Sequence, residues 1–208
     1  MISNKNWTSD EIPDRPFMEL EGINLLYSFM KKSKIYLEYG SGGSTIMAAN
    51  LNISEVHTVD SDLSFMMAVK TKALKMNVNF NLTLHYCDIG QVREFGNPID
   101  TTKASSWPKY CSACWNYFSD SHTGPDLILV DGRFRVACFL ASLLLGRPNC
   151  IILFDDYFGR SQYQVVEDHI AYFKRSGRMA CFRIPQVLNA HQRSKIMLDV
   201  LKYSAICD

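Results

Sequence analysis

The sequence predicts an α/β protein with a Rossmann-like, doubly wound, mostly parallel seven-stranded sheet and helices on both faces. Short apolar runs alternate with segments of helical spacing along most of the chain. The first run ends in a glycine-rich bend, Gly40-Ser41-Gly42-Gly43. Successive runs then close on acids, Asp60, Asp88, Asp131 and Asp155, which sets similar chemistry at one end of neighbouring strands.

Residues 1–16 are polar, hold Pro13 and Pro16, and read as an arm. Residues 17–31 carry Leu20, Ile23, Leu26, Tyr27 and Met30 at helical spacing. A strand over 35–39, a helix of small and apolar residues over 44–51, a strand over 55–60, a helix over 63–76 and a strand over 79–87 follow. Strands over 126–130 and 150–154 are continuous apolar runs, as strands buried on both faces should be, with a helix over 134–145 between them. A helix over 162–175 and a strand over 179–184 complete the alternation. The apolar positions of 195–203 fit a helix and a strand, and the segment is read as a final antiparallel strand.

The connection 91–125 is far longer than a usual strand-to-helix loop and carries Trp107, Tyr110, Trp115, Tyr117 and Phe118. Large aromatics in a loop must cover something, so it reads as a substrate lid or as a structural extension packed beside the domain.

Bulk properties narrow the class. With 208 residues, 47% hydrophobic and 12% aromatic, the chain can form one domain over 1–208. Lys plus Arg, 22, balances Asp plus Glu, 21, so no broad positive field points to a nucleic-acid partner. The apolar stretch 136–145 is too short to cross a bilayer, and residues 1–6 lack the apolar core of a signal peptide; no membrane partner and a cytoplasmic location are expected. Seven cysteines, several inside apolar runs, do not suggest a disulfide framework, and Cys111 and Cys114 read as ordinary loop thiols. Nothing in the sequence points to an oligomeric state.

In an open parallel sheet, ligands bind beyond the carboxyl ends of the strands where the strand order reverses. Gly40 and Gly42 there permit a sharp turn, with Ser41 between them and Ser44 and Thr45 opening the next helix. Asp60 follows Gly40 by about 20 residues, the spacing that lets a carboxylate accept from ribose hydroxyls, and Ser61 stands beside it. Asp88 can accept from an adenine amino group, with Ile89 beside the ring. Glu38 would repel a pyrophosphate but suits a ligand carrying an ammonium group, which favours S-adenosylmethionine as cofactor over a dinucleotide. Thr45 also stands where the nicotinamide fingerprint wants a glycine.

The string Glu38-Tyr39-Gly40-Ser41-Gly42-Gly43-Ser44-Thr45, with Asp60, Asp88 and Val130-Asp131-Gly132-Arg133, resembles the class I S-adenosylmethionine-dependent methyltransferase family over about residues 35–185. The likeness extends to bacterial methyltransferase-like proteins of undetermined substrate through Asp131 to Val136 and Phe154-Asp155-Asp156-Tyr157. The resemblance implies methyl transfer from S-adenosylmethionine to a small-molecule acceptor, with Asp131 also near the cofactor. Ser44 replaces a common third glycine.

Asp131, Asp155 and Asp156 are the candidate catalytic residues, since their strands end beside the transferable methyl. They are similar to the acids that hold a divalent metal in catechol-type O-methyltransferases, where a hydroxyl pKa is lowered; three oxygen donors suit Mg²⁺. Alternatively Asp131 caps a helix or pairs with Arg133 or Arg135, which leaves no metal. Arg133, Arg135 and Arg160 can receive an anionic acceptor group or balance the acids, and Trp107 and Tyr157 are further candidate substrate contacts. His122 is the one histidine placed to act as a general base. A non-catalytic adenosyl-ligand module on the same fold, and a nicotinamide-dependent oxidoreductase, are the other function classes compatible with these residues.

Overall fold

The structure is a computed structural model that describes residues 5–77, 79–118 and 123–207. Its helices are α1 (Leu20–Met30), α2 (Gly43–Asn50), α3 (Leu63–Met76), α4 (Pro108–Ser112), α5 (Trp115–Phe118), α6 (Arg135–Leu145) and α7 (Ala190–Tyr203). Its strands are β1 (Ile35–Tyr39), β2 (Glu55–Asp60), β3 (Leu82–Tyr86), β4 (Val92–Arg93), β5 (Asn97–Pro98), β6 (Leu127–Val130), β7 (Ile151–Phe154), β8 (Lys174–Ser176) and β9 (Met179–Arg183).

Seven strands form one sheet in the order β3-β2-β1-β6-β7-β9-β8, while β4 and β5 pair separately. The pairs from β3 to β7 are parallel, and β9 runs antiparallel to both β7 and β8. This is the predicted mostly parallel, doubly wound sheet. Its order reverses between β1 and β6, so the cleft expected of such a sheet opens where Tyr39 and Val130 lie in register.

Core side chains fall on both faces, which explains the unbroken apolar runs. Leu37, Tyr39, Ile128, Val130, Ile152 and Phe154 face one layer, completed by Phe139 of α6 and Ile196 of α7. Tyr36, Val56, Leu129 and Leu153 face the other, completed by Leu26 of α1, Ile46 of α2 and Val69 of α3. Among the described residues no helix is long and apolar enough to cross a membrane.

Two expected elements differ. Residues 195–203 are not a strand: they belong to α7, whose cap lies upstream, where Asn189 accepts from the Gln192 N–H and Gln192 returns the bond. Ile196, Val200 and Tyr203 then meet the core at helical spacing. The helix over 162–175 is replaced by a 3₁₀ run, Ser161–Asp168, followed by β8. Only Tyr163 and Val166 are buried in that run, a spacing of one 3₁₀ turn, and Gly177, at φ +58°, turns β8 into β9. The seventh strand is therefore β8.

Candidate active site

On the β1–β2 side, three glycines are required for three different reasons. Gly40 has φ +97° and its Cα would carry a Cβ 3.0 Å from Gly132 Cα, so the loops after β1 and β6 touch backbone to backbone. Gly42 has φ +152° and precedes α2. At Gly43 a Cβ would fall 2.1 Å from the Arg15 carbonyl carbon, because the N-terminal arm crosses the start of α2. That arm is anchored along α3: Trp7 stacks edge-on against Phe65 and donates to Asp62 at 3.2 Å, and Lys72 donates to the Ile12 carbonyl at 2.5 Å.

Glu38 is fully buried and accepts from Tyr36 Oη at 2.9 Å, from Ser44 Oγ at 2.6 Å and from Thr45 Oγ1. Burial pushes its pKa up to about 7 against the pull of those three donors. Ser44 and Thr45 therefore direct their hydroxyls to Glu38, and Thr45 Oγ1 also accepts the Gly42 N–H at 3.1 Å. Glu38 thereby ties the end of β1 to the first turn of α2.

Asp60 lies against the glycine bend. One carboxylate oxygen accepts from Ser41 N at 2.9 Å and Ser41 Oγ at 2.8 Å; the other accepts from Ser61 N at 2.7 Å and Asp62 N at 3.2 Å. Burial raises its pKa despite these donors. Asp88 sits at the rim, paired with Lys103 and accepting the Gly90 N–H at 3.1 Å; chiefly the Lys103 bond lowers its pKa. Ile89 is buried beneath, and its carbonyl accepts from Trp107 Nε1 at 3.0 Å. A cleft of about 350 Å³ is lined by Ser61, Asp62, Tyr86, Gly90 and Val92, together with Lys5 and Asn6 of the arm.

The β6–β7 side is organised around a cation. Arg135 is the first residue of α6, and Phe134 before it adopts a left-handed conformation that turns the helix start. Its nearly buried guanidinium folds back over the strand ends: Nε donates to the Gly132 carbonyl at 3.0 Å, one terminal nitrogen to the Asp155 carbonyl at 2.9 Å, and the other lies 3.0 Å from Asp131 Oδ1. Asp156, at φ +56°, lies 3.7 Å from Arg135, 2.8 Å from Arg160 and 3.2 Å from Arg178. Burial pushes the Asp131 pKa up to about 6, with Arg135 pulling it back. Burial, then Asp131 and Asp156, push Asp155 up to about 7. A Cβ on Gly22 of α1 would stand 3.9 Å from Asp155 Oδ1, so the start of α1 roofs this carboxyl.

Asp131, Asp155 and Asp156 do not fit a metal site. Among the described residues no group of three His, Cys, Asp or Glu side chains is arranged to hold an ion. The reason is visible in the ion pairs: Asp131 is engaged by Arg135, and Asp156 by three arginines. Of the two expectations for Asp131, its pairing with Arg135 is what the structure contains. Arg135 and Arg160 balance acids, while Arg133 donates to Asn97 Oδ1 at 2.9 Å.

Of Trp107, Tyr110, Trp115, Tyr117 and Phe118 in the connection 91–125, Tyr117 is exposed and the other four belong to the core. Trp107, Tyr110, Trp115 and Phe118 are buried over the sheet; Trp107 and Tyr110 pack on Phe134, and Trp115 Nε1 donates to Tyr39 Oη at 2.9 Å. Helices α4 and α5 supply the crossover between β3 and β6 that a longer helix would otherwise make. Tyr157 is likewise buried, its hydroxyl 2.6 Å from Glu167. Trp107 and Tyr157 are thus both buried, as Asp155 is. The part of the connection that does reach the strand ends is the β4–β5 hairpin, where the Gly96 carbonyl lies 3.4 Å from Ser61 Oγ and Asn97 meets Arg133. His122 lies outside the described residues. Sequence reasoning missed Arg178, Glu19 and Asn97; Arg178 could be placed only once the β8–β9 turn was known, and Glu19 pairs with it at 3.2 Å.

A doubly wound sheet with a glycine bend after the first strand and acids on the next strand ends defines a Rossmann-like nucleotide-binding class. No family model and no curated protein matches the chain. A solved structure of a methyltransferase-like protein from Silicibacter pomeroyi DSS-3 is similar at 32% identity, with TM-score 0.79, covering 93% of this chain and 99% of that one. A cofactor-bound protein from MTB shares the fold at 16% identity, with TM-score 0.56, over 86% of this chain and 87% of its own. The chain belongs to the class I S-adenosylmethionine-dependent methyltransferase family.

Proposed function

We propose that the protein transfers the methyl group of S-adenosylmethionine to an oxygen of a small-molecule acceptor. The observation that carries the reading is convergence: Gly40, Asp60, Asp131 and Asp155 reach one rim from four parallel strands on either side of the order reversal.

Glu38 holds the glycine bend, and Gly40, Ser41, Gly42, Asp60 and Ser61 form the cofactor wall. Asp60 already accepts four bonds, as many as a carboxylate has lone-pair sites, so a ribose hydroxyl must displace one. The Ser41 hydroxyl is the one free to rotate away. The bound cofactor supplies a methyl group on a sulfonium, an electrophile that needs alignment and little else.

Asp155 takes the acceptor's proton. Among the described residues no ammonium or guanidinium forms an ion pair with its carboxylate, and a pKa near 7 lets it accept a proton at neutral pH. The acceptor oxygen would then use the freed pair on the methyl carbon as the carbon–sulfur bond breaks onto sulfur.

Calorimetry with S-adenosylhomocysteine tests the cofactor half: wild type binds, and Asp60→Ala binds at least about tenfold more weakly through loss of charged hydrogen bonds. Transfer of isotope-labelled methyl to a panel of hydroxylated small molecules tests the reaction. Binding without transfer to any acceptor would favour the non-catalytic module, and no binding at saturating ligand would remove the reading altogether.

A further inference from the structure

We infer that Arg135 is a resident cation of the acceptor site, standing where a divalent ion would bind, so that Asp131 and Asp156 are held by the protein's own charge. The inference deepens the proposed methyl transfer by specifying a metal-independent acceptor site, and it rests on that reading for its catalytic consequence alone.

Geometry carries it. Arg135 is 5% exposed and directs all three guanidinium nitrogens at the rim, to the Gly132 carbonyl, the Asp155 carbonyl and Asp131 Oδ1, with Asp156 Oδ2 at 3.7 Å. The Tyr163 ring also lies beside it, its centroid 6.0 Å from the guanidinium carbon. The position is also unfavourable by helix rules, because a cation at the start of an eleven-residue helix faces the positive end of its dipole. The Gly132 and Asp155 carbonyls and the acids around it compensate, so the residue is placed for the strand ends and not for α6. A planar fork with a permanent charge suits this task; a hydrated divalent ion would have to approach a fixed positive charge inside a nearly buried site.

The consequence is a division of labour. Arg135 and the arginines on Asp156 fix those carboxylates in place, and Asp155, whose backbone carbonyl Arg135 grips, is left as the proton acceptor. Arg135 is thus a positioning residue acting through Asp131 and Asp155.

Mn²⁺ titration followed by water-proton relaxation tests this without any methyl transfer. Wild type and Arg135→Lys, both retaining the cation, are expected to show no saturable Mn²⁺ binding. Arg135→Met, which takes the guanidinium from Asp131 while Arg160 and Arg178 still hold Asp156, is expected to bind one equivalent at least tenfold more tightly than wild type, and Asp131→Asn in that background should abolish it. Saturable binding by wild type that Asp131→Asn removes would overturn the inference, as would a folded Arg135→Met that gains no binding. Should Arg135→Met fail to give a native circular-dichroism spectrum, Arg135→Gln replaces it, with the same expected gain and the same overturning result. Methyl transfer unaffected by EDTA is the matching kinetic result, and loss of transfer on chelation that Mg²⁺ restores would refute it.

Discussion

The two halves of the rim satisfy their acids by opposite means. On the β1–β2 side, Glu38 and Asp60 accept from hydroxyls and backbone N–H groups; on the β6–β7 side, Asp131 and Asp156 are held by guanidinium groups. Neutral donors fix a backbone path without adding charge, which suits a wall that must keep the shape of the glycine bend. Fixed cations instead hold carboxylates in place by charge, which suits the side where an acceptor must be aligned. Asp155 marks the difference: among the described residues no guanidinium forms an ion pair with its carboxylate, and burial, with Asp131 and Asp156 beside it, pushes its pKa up to about 7.

The largest expected effect tests that contrast. Asp155→Asn should lower methyl transfer by roughly 100-fold to 10,000-fold, the range for loss of a general base, while S-adenosylhomocysteine affinity stays within about threefold. Wild-type turnover should rise with pH through about 7, and that limb should vanish in the variant. The same substitution carries a stability signature. Because burial raises the folded pKa above its usual 3.8, the folded state holds a proton that the unfolded chain has released. That contribution is complete below about pH 4 and is lost as pH rises through about 7, so Asp155→Asn should leave stability nearly unchanged near pH 4 and raise it at pH 8, as read by urea unfolding. Equal stability changes at both pH values would show that Asp155 is no different from the paired acids.

Glu38 provides the corresponding test on the neutral side. Removing its carboxyl leaves the hydroxyls of Tyr36, Ser44 and Thr45 without their acceptor in a buried site. Glu38→Ala should therefore cost about 3 kcal/mol in urea unfolding, whereas Glu38→Gln, which keeps one acceptor oxygen, should cost about 1 kcal/mol. A loss in Glu38→Ala no larger than in Glu38→Gln would mean that the hydroxyls find water, and that the bend does not depend on this residue.

What could be read from the sequence followed from local signals. The five parallel strands are apolar runs, and the closeness of Asp60 to the glycine bend was legible because strand, bend, helix and strand have fixed lengths. Features set by distant segments were not legible. Gly43 reads as part of a ligand loop, yet its missing side chain is required by Arg15 and the arm that crosses it. Trp107, Tyr110 and Trp115 read as a cover because a long connection gave no helical period; short helices α4 and α5 break that period while still burying the rings. The α7 cap at Asn189 and Gln192 precedes the ambiguous window, which is why 195–203 fitted two periods. Arg135 was visible as a charge near acids, but its direction depends on the left-handed turn at Phe134, for which the sequence carries no glycine or asparagine signal.

The smallest effect is expected at Asp88, the third acid of the cofactor edge, and it shows what burial contributes to the comparison. Asp60 and Asp88 end adjacent parallel strands and were read alike, one for ribose and one for adenine. Asp60 is enclosed by four donors from the bend and the start of α3, whereas the Asp88 side chain is 47% exposed and engaged by Lys103 and the Gly90 N–H. An adenine amino group would have to compete with an ammonium for an acceptor that water also reaches, so its net gain is small. Asp88→Ala should weaken S-adenosylhomocysteine binding by no more than about threefold, against tenfold or more for Asp60→Ala, both by calorimetry at one salt concentration. A tenfold loss at Asp88 would show that Lys103 yields its place to adenine on binding, and that exposure in the free protein is a poor guide to this edge of the cleft.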